Sequence, residues 1–502
     1  MCIFAGKGMG KLSWRVDPWV VGKNARPGGP WCYNNPAMER IFEASSVAIV
    51  GVSERPGNLG RNILTNLIDW GYQGEVYCVN PKGGKALGHR LYTSVGNIPE
   101  PVDLGVIIVP APAVPEVVED CGRRGITRLA IPSGGFEEFG GGGSGARDAL
   151  VSAARGYGIR FVGPNCLTVI NAHTGLCLPF LPVPAELPRG GVSIVAQSGG
   201  IGMDFLARLK DENTGFAKFV SIGNKTDLDE VDYLEYLGRD PRTKVICMYL
   251  EDVARGREFL ETARKIEKPI LVYKANVEPL TMESAQSHTA ALANDDAVLE
   301  GALRQVGIIR VHRLAQLAGY AKTFSLPPLQ GNRVALVSPT GGILVLASDQ
   351  CARRGFEFPR LPDSLVEDIR KHMRAGVINI SNPVDLADVQ DADVRVYIVD
   401  RLLEQEFIDG VILILIANMS SGGGVTPRGI HGLEKNIMPD LGALIHKHNK
   451  PLIFSLLTIA EVRANARHMV DFPIFTDAEE AVDAAAVLRD HSMRADSGEG
   501  RA

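Results

Sequence analysis

The segment SAQSHTAAL, residues 284–292, places one histidine, His288, between hydroxyl residues and alanines. A neutral imidazole, with an ordinary pKa of about 6.5, is a nucleophile at physiological pH, so His288 is a candidate for phosphorylation on nitrogen. An alternative interpretation is that Ser287 or Thr289 caps a helix, with the histidine exposed at its start. A phosphohistidine would need backbone N–H groups for its oxygens and a carboxylate to orient the ring.

Two glycine-rich turns could supply those N–H groups. The turn QSGGIG, with Ser198, Gly199 and Gly200, follows an apolar strand-like run and begins a helix, where N–H groups and the helix dipole favour an anion. The segment SPTGGIL, around residues 340–342, has the same design. Each turn could also be a close-packed connection without a ligand. Glu251 ends the predicted strand VICMYLE, so it is the candidate carboxylate at the same sheet edge.

A third glycine-rich loop, GVSERPGNLG, holds Gly51, Gly57 and Gly60 between a predicted strand and a helix. Its spacing is not GxGxxG, and VNPKGG puts Lys82 near the position where NAD-binding folds carry an acidic residue. Because lysine pairs with phosphate, the loop suits a phosphorylated nucleotide such as coenzyme A better than NAD. These features disfavour an NAD(P)-dependent oxidoreductase, and a plain tight turn is the remaining alternative.

These residues lie on alternating strands and helices. From Ser46 onward, short apolar runs alternate with helical segments, a pattern typical of a parallel sheet whose ligands bind at the carboxyl ends of its strands. A second unit starts near Gly191 and a third near Gly331. The segment VAQSGGI at 195–201 corresponds to VSPTGGI at 337–343, so we infer two copies of one α/β fold.

Composition narrows the function classes. The chain has 502 residues, of which 45% are hydrophobic and 22% charged, and its net charge of -5 gives no electrostatic argument for a nucleic acid or an anionic membrane. No apolar run reaches the roughly 18 residues of a membrane-spanning helix. The eight cysteines form no CxxC pair, so we expect neither a metal site nor disulfides, and a cytoplasmic location fits.

Taken in order, the segments SVAIVGVSERPGNLG, VNPKGG, GPNCLTVIN, SIVAQSGGIG, SIGN and SHTAALANDDAVLEGALRQVG resemble the α subunit of NDP-forming acyl-CoA synthetases. These are the ADP-forming acetate–CoA ligases, relatives of succinyl-CoA synthetase, and the resemblance covers about residues 41–490. It implies an α/β fold in which a Rossmann-like CoA-binding domain precedes two flavodoxin-like ligase domains with parallel sheets. It also implies the reversible conversion of a carboxylate, ATP and CoA into acyl-CoA, ADP and phosphate, through an acyl phosphate and a phosphohistidine.

The resemblance also implies a role for each candidate residue. His288 is then the phosphorylated residue, Glu251 orients it, and the turn at residues 198–200 holds the phosphoryl group. The residues implied to lie in the CoA-binding loops, or in the active-site loop for the last two, are Gly51, Ser53, Gly57, Gly60, Lys82, Pro110, Ser133, Gly134, Asn165 and Cys166.

We expect five segments along the chain. They are an N-terminal extension (1–40), the CoA-binding domain (41–180), the ligase domain with the phosphohistidine (188–326), the second flavodoxin-like ligase domain (331–490) and a disordered tail (491–502).

The resemblance finally implies partners. An ATP-grasp β subunit on a separate chain would bind ATP or ADP with Mg²⁺, giving a heterotetramer that acts on a small carboxylic acid, since no ATP-grasp domain is recognisable here. Two segments depart from the family pattern: KANVEPLTMES replaces a Gly- and Arg-rich segment, and SHTAALAN replaces SHTGxLAG. They keep open an alternative function, a non-catalytic CoA-binding regulator or scaffold of the same fold.

Overall fold

The computed structural model describes residues 36–136, 144–278, 296–372, 380–387, 389, 391–416 and 436–497. Its strands form three sheets, and the first contains β1 (Ser46–Val50), β2 (Glu75–Val79), β3 (Gly84–Ala86), β4 (His89–Tyr92), β5 (Leu104–Ile107), β6 (Arg128–Ala130) and β7 (Arg160–Val162). Their order is β3-β4-β2-β1-β5-β6-β7, and only the β3–β4 pair is antiparallel. From β4 to β7 this is the order of a dinucleotide-binding fold, with its switch point at β1.

The second sheet has the order β14-β13-β12-β10-β11-β8-β9. It is formed by β8 (Thr168–Asn171), β9 (Leu176–Cys177), β10 (Arg189–Ala196), β11 (Phe216–Ser221), β12 (Val245–Leu250), β13 (Ile270–Lys274) and β14 (Ile309–Val311). Strands β10 to β14 are parallel and follow the flavodoxin-like order 2-1-3-4-5.

The third sheet repeats that order as β16-β15-β17-β18-β19. Its strands are β15 (Val334–Ser338), β16 (Val384–Asp385), β17 (Gly410–Ile416), β18 (Leu452–Leu457) and β19 (Ile474–Phe475), and all their pairings are parallel. The predicted fold class, including the two copies of one α/β unit, is therefore confirmed.

Helices connect these strands. They are α1 (Pro36–Phe42), α2 (Leu59–Asp69), α3 (Val114–Arg123), α4 (Ser144–Gly156), α5 (Gly199–Asp211), α6 (Glu230–Arg239), α7 (Gly256–Ala263), α8 (Asp296–Gln305), α9 (Leu314–Thr323), α10 (Gly341–Arg353), α11 (Asp363–Arg370), α12 (Ala392–Leu403), α13 (Met438–His448), α14 (Ala460–Arg467) and α15 (Ala478–Ser497). Short 3₁₀ helices lie at Val95–Asn97 and Ala111–Ala113. None of the described helices is long and apolar enough to cross a membrane.

The central strands are mostly apolar and buried because helices pack on the faces of each sheet. All five residues of β1 are buried, and so are six of the seven in β17. Parallel strands covered on both faces read as continuous apolar runs rather than alternating ones, which is why the sequence pattern identifies them.

Three predicted boundaries differ from the structure. Met38, in α1, is fully buried, so the end of the predicted extension 1–40 packs into a core. Strands β8 and β9 lie before the predicted boundary at 180 but belong to the second sheet, since β8 pairs antiparallel with β11. The predicted disordered tail from 491 is helical as far as Ser497, because α15 continues there and Ser492 is buried. The described residues from 37 onward form one compact unit, and the division into domains stays a prediction.

Candidate active site

The loop between β1 and α2 is shaped by two glycines. Gly51 has φ +108°, and a Cβ atom added there would stand 2.2 Å from the carbonyl oxygen of Ile108, at the end of β5. A Cβ on Gly60 would stand 2.9 Å from the carbonyl oxygen of Gly51. Glycine thus lets β1, the end of β5 and the start of α2 approach closely. At Gly57, φ +77°, no atom of the described residues lies within 4 Å of the corresponding position.

Asn58 holds this loop in shape. Its Oδ1 accepts hydrogen bonds from the backbone N–H groups of Ser53 (2.9 Å) and Arg61 (2.8 Å), so it caps α2. Its Nδ2 donates to the carbonyl oxygen of Gly51 at 3.0 Å. The predicted residues Gly51, Ser53 and Gly60 therefore belong to one bonded loop at the carboxyl end of β1.

Lys82 lies on the neighbouring turn after β2. The Asn80 side chain ties this turn to the glycine loop, because its Nδ2 donates to the carbonyl oxygen of Val52 at 2.7 Å. The same side chain accepts a hydrogen bond from the backbone N–H of Lys82 at 3.0 Å. Lys82 itself is exposed, so its ammonium group is at the surface beside the loop.

The loops after β5, β6 and β7 lie next along the same edge. The buried Ser133 hydroxyl donates to the carbonyl oxygen of Val109 (2.6 Å) and accepts from its N–H (3.1 Å), which fixes the backbone beside the exposed Pro110. The backbone N–H of Asn165 donates to the carbonyl oxygen of Ser133 at 2.9 Å. A Cβ on Gly134 would stand 3.3 Å from Asn165 Oδ1, so these loops are in contact.

The side chain of Cys166 is buried, unlike that of its exposed neighbour Asn165. It is 5% exposed, its Sγ lies 3.5 Å from the carbonyl oxygen of Ile131, and burial raises the pKa of the thiol to about 12. The expected contact between Cys166 and a ligand is therefore not supported for the thiol, which packs against β6. The exposed neighbour Asn165, at φ +56°, is the residue of this loop that a ligand can reach.

The loop at residues 163–167 also contacts the second sheet. Asn165 Nδ2 donates to Asn224 Oδ1 at 3.3 Å. A Cβ on Gly223 would stand 2.3 Å from the carbonyl oxygen of Asn165. A Cβ on Gly199 would stand 2.7 Å from Leu167 Cγ. The carboxyl edges of the first and second sheets are thereby joined.

The turn that starts α5 has the predicted form. Ser198 is the N-cap residue, with φ -96° and ψ 126°, and its hydroxyl accepts from the N–H of Ile201 at 3.5 Å. Gly200 is exposed, and the described residues leave the space around its Cβ position open to 4 Å. N–H groups at a helix start carry partial positive charge, so this turn can receive an anion.

Glu251 follows β12 and lies beside this turn. Its backbone N–H donates to Gln197 Oε1 at 2.9 Å, and its carbonyl oxygen accepts from Lys274 Nζ at 2.8 Å. Burial raises the pKa of Tyr249, and the negative charge of Glu251 raises it further, as expected for neighbouring side chains. The structure therefore brings Glu251 and Ser198 to one edge of the second sheet.

A buried ion pair supports that edge. Lys225 Nζ lies 2.6 Å from Asp252 Oδ1 and 2.9 Å from Glu230 Oε2. Burial alone would lower the pKa of Lys225, but the two carboxylates outweigh it and raise this pKa above its ordinary value. The charged lysine thus fixes the loop after β11 to the loop after β12.

His288 and the second glycine turn are the two other features predicted from the sequence. His288 lies outside the described residues, so its prediction rests on the sequence. The second glycine turn starts α10, with Thr340 as N-cap residue but without a side-chain capping bond. Within the described ranges, no group of three or more His, Cys, Asp or Glu side chains is arranged to hold a metal ion.

Sequence reasoning missed the residues that connect the loops. They are Asn58, Asn80, Gln197, Asn224, Lys225 and Asp252. Asn58 has a local signal, since Asn is a preferred N-cap residue before a helix. The other five contact residues distant in the chain, as Gln197 contacts Asp252, and no local sequence pattern reveals such contacts.

Two family models match the chain. The model of a CoA binding domain matches residues 45–172, which contain the first sheet and the glycine loop. The model of a succinyl-CoA ligase-like flavodoxin domain matches residues 189–324, which contain α5 and Glu251.

Curated relatives match over greater lengths. Acetate–CoA ligase (ADP-forming) II of Archaeoglobus fulgidus is 32% identical over 95% of this chain and 69% of its own. The α subunit of acetate–CoA ligase (ADP-forming) I of Pyrococcus furiosus is 38% identical over 71% of this chain and 78% of its own. The 4-hydroxybutyrate–CoA ligase (ADP-forming) of Nitrosopumilus maritimus is 31% identical over 89% of this chain and 63% of its own.

A solved structure agrees with these relatives. The dinucleotide-forming acetyl-coenzyme A synthetase 1 of Ca. Korarchaeum cryptofilum, in complex with phosphate and ADP, superposes with a TM-score of 0.81. It is 30% identical, and the match covers 92% of this chain and 97% of that one. With its CoA-binding and ligase-type sheets in the expected order, this chain belongs to the NDP-forming acyl-CoA synthetases of the succinyl-CoA synthetase superfamily.

Proposed function

We propose that the chain is the α-type part of an NDP-forming acyl-CoA synthetase, interconverting a carboxylate, ATP and CoA with acyl-CoA, ADP and phosphate. One observation carries the proposal. The glycine loops of the first sheet and the α5 turn with Glu251 meet along one edge, through the contact of Asn165 with Asn224 and of Leu167 with Gly199.

Coenzyme A fits the loops of the first sheet. The exposed Gly57, whose Cβ position has no described atom within 4 Å, leaves backbone open to a ligand, and the exposed Lys82 suits the 3′-phosphate. Asn165, at the end of this row of loops, contacts Asn224 of the second sheet and belongs next to the thioester. Pro110 and Gly134 are exposed between these two ends.

In the proposed reaction, an oxygen of phosphate attacks the acyl carbon of acyl-CoA. The C–S bond breaks, CoA leaves as a thiol after gaining a proton, and an acyl phosphate forms. A ring nitrogen of His288 then attacks phosphorus, the P–O bond to the acyl group breaks, and the carboxylate leaves. The N–H groups of the α5 turn would stabilise the phosphoryl charge, and Glu251 would accept a hydrogen bond from the other ring nitrogen.

The phosphoryl group would finally pass to ADP. We assign ATP, ADP and Mg²⁺ to an ATP-grasp partner subunit in a heterotetramer. Support comes from the two Pyrococcus furiosus relatives named as α subunits, of which this chain covers 78% and 84%. The Archaeoglobus fulgidus acetate–CoA ligase (ADP-forming) I, whose name mentions no subunit, is covered over 55% of its length.

The proposal is tested by labelling. The chain is incubated with acetyl-CoA, propionyl-CoA or an aryl-CoA and with radioactive phosphate, and the denatured protein is assayed for label that is acid-labile and base-stable. We expect label in the wild type and in His446→Ala, whose histidine is exposed on α13, and none in His288→Ala. Label that persists in His288→Ala contradicts the phosphohistidine.

A second result would favour the alternative. If the wild type, alone and with an ATP-grasp partner that co-purifies with it, binds CoA but acquires no label, the chain is a CoA-binding regulator or scaffold of the same fold. This outcome is favoured by one observation: the segment before His288, KANVEPLTMES, departs from the family pattern.

A further inference from the structure

The side chain of Gln197 makes three hydrogen bonds to residues just after β12. Its Oε1 accepts from the backbone N–H groups of Glu251 (2.9 Å) and Asp252 (3.3 Å), and its Nε2 donates to Asp252 Oδ1 (2.8 Å). Gln197 is 7% exposed, so these bonds are shielded from water. A buried amide that lost its partners would leave several polar groups unsatisfied at once.

Other charged side chains hold the same segment from its far side. Lys225 bonds Asp252, Lys274 Nζ donates to the carbonyl oxygen of Glu251, and Glu230 Oε1 accepts from the N–H of Ala254 at 2.9 Å. These three side chains come from the loop after β11, the end of β13 and the start of α6. They fix the segment within the sheet from elements other than the α5 turn.

Gln197 is next to that turn, because it immediately precedes Ser198, the N-cap residue of α5. Its backbone N–H also donates to the carbonyl oxygen of Tyr249 at 2.9 Å, so both its main chain and its side chain are bonded to the end of β12. We propose that Gln197 is a positioning residue that sets the distance between the Glu251 carboxylate and the N–H groups of the α5 turn. This inference rests on the proposed function, in which those two groups act on one phosphoryl transfer.

Gln197→Met tests the inference, because methionine has a similar length and makes none of the three bonds. We expect the rate of phosphohistidine formation from acetyl-CoA and phosphate to fall by about 10- to 100-fold, as misplacement of a catalytic group does. The KM for acetyl-CoA and the affinity for CoA should not change, because the bonds of Gln197 go to β12 and the segment after it rather than to the CoA loops.

Gln350→Met is the matched control. Gln350 Nε2 donates to Asp483 Oδ1 between α10 and α15, so this variant removes another part-buried glutamine–aspartate bond far along the chain. It should lower the melting temperature and leave the labelling rate unchanged. Equal losses of labelling in the two variants would show a general stability effect and would overturn the inference.

Gln197→Glu supplies a second, independent readout. Its side chain keeps the acceptors for Glu251 and Asp252 but turns a carboxylate toward Asp252, with Lys225, Lys274, Glu230 and Glu251 as the other charged groups around it. Protonation of one of the two facing carboxylates restores the missing donor. The labelling rate of Gln197→Glu, divided by that of the wild type, should therefore rise as the pH falls from about 8 to about 6.

The outcomes separate the two proposals. A wild type that never acquires label refutes the proposed function and this inference with it. A wild type that is labelled, together with Gln197→Met at the wild-type rate or a pH-independent ratio for Gln197→Glu, refutes the inference alone.

Discussion

Replacing Gly51 by alanine should destabilise the protein much more than replacing Gly57. Both glycines have positive φ, +108° and +77°, so both substitutions place an L side chain in an unfavourable backbone region. That conformation costs about 1–2 kcal/mol, offset by about 0.4–1 kcal/mol because alanine restricts the unfolded chain. For Gly57, where no described atom lies within 4 Å of the new Cβ, this balance of about 1 kcal/mol is the whole effect.

Gly51 carries an additional steric cost. Its new Cβ would stand 2.2 Å from the carbonyl oxygen of Ile108 and 3.0 Å from the carbonyl carbon, which are backbone atoms that no rotamer change can move. Overpacking of this kind costs typically about 1–3 kcal/mol. We therefore expect Gly51→Ala to lower the free energy of unfolding by about 2–4 kcal/mol, measured by urea denaturation followed by circular dichroism.

Calorimetric titration with CoA completes the assay. Relief of the clash must separate β1 from β5, whose ends are joined by the 3.0 Å bond from Ile108 N–H to the carbonyl oxygen of Val50. Gly51→Ala should then weaken CoA binding because the loop changes shape. A loss of CoA affinity in Gly57→Ala, which stays more stable, would instead indicate that Gly57 contacts the ligand. Equal stability of the two variants, within about 0.5 kcal/mol, would refute the steric reasoning, since it predicts a difference of about 1–3 kcal/mol.

Three further predictions use other residues of the site and its support. Lys82→Ala should weaken CoA more than dephospho-CoA in calorimetric titrations, and equal losses would show that Lys82 does not bind the 3′-phosphate. Burial, with the neighbouring charge of Asp229, raises the pKa of Asp232 to about 6, so the folded protein keeps a proton that the unfolded chain releases near its ordinary pKa of about 4. Ionisation of Asp232 thus lowers the stability of the wild type as the pH rises from about 4 to about 6. Because Asp232→Asn cannot ionise there, its free energy of unfolding relative to that of the wild type should increase over this range in urea titrations. A flat or falling difference would contradict the raised pKa. Iodoacetamide at about pH 8 should leave Cys166 unmodified in the folded protein by peptide mass spectrometry, because its pKa is about 12; modification as fast as that of a free thiol would contradict its burial.

The central strands, though not their order in the sheets, could be identified from the sequence. Buried parallel strands such as β1 and β17 read as short apolar runs between helices, and the repeated glycine turns at the starts of α5 and α10 mark corresponding points of two similar units. Elements at the margins gave no such signal. Strand β8 joins the second sheet by pairing Thr168 with Ser221, a contact between residues far apart in sequence.

The extent of α15 was missed for a similar reason. The polar segment after 491 has the composition of a disordered tail, but Arg494 donates to the carbonyl oxygens of Arg304 (3.0 Å) and Gln305 (2.6 Å) at the end of α8. These bonds satisfy acceptors that a helix end leaves free. Composition describes the tail alone, whereas its order depends on a second helix almost 200 residues earlier in the chain.

The site could be predicted in its loops but not in their connections. Glycine-rich turns after apolar strands identify the β1 loop and the α5 turn, because the physical requirement is local. The bonds of Gln197 to Asp252 and of Asn165 to Asn224 join residues 55 and 59 positions apart. For Cys166 the sequence predicted a ligand contact, and the burial of its thiol does not support that contact.

The two positions of the α5 turn are occupied by glycine for different physical reasons. A Cβ on Gly199 would stand 2.7 Å from Leu167 Cγ, so packing between the sheet edges already requires glycine there. Gly200 is exposed, and the described residues leave its Cβ position free, while alanine would favour the helix by at most about 1 kcal/mol. The fold therefore gives a reason for the first glycine and none for the second. A ligand that must approach the N–H groups of α5 supplies that reason, so Gly200 is where the phosphoryl-binding proposal and the close-packed alternative diverge.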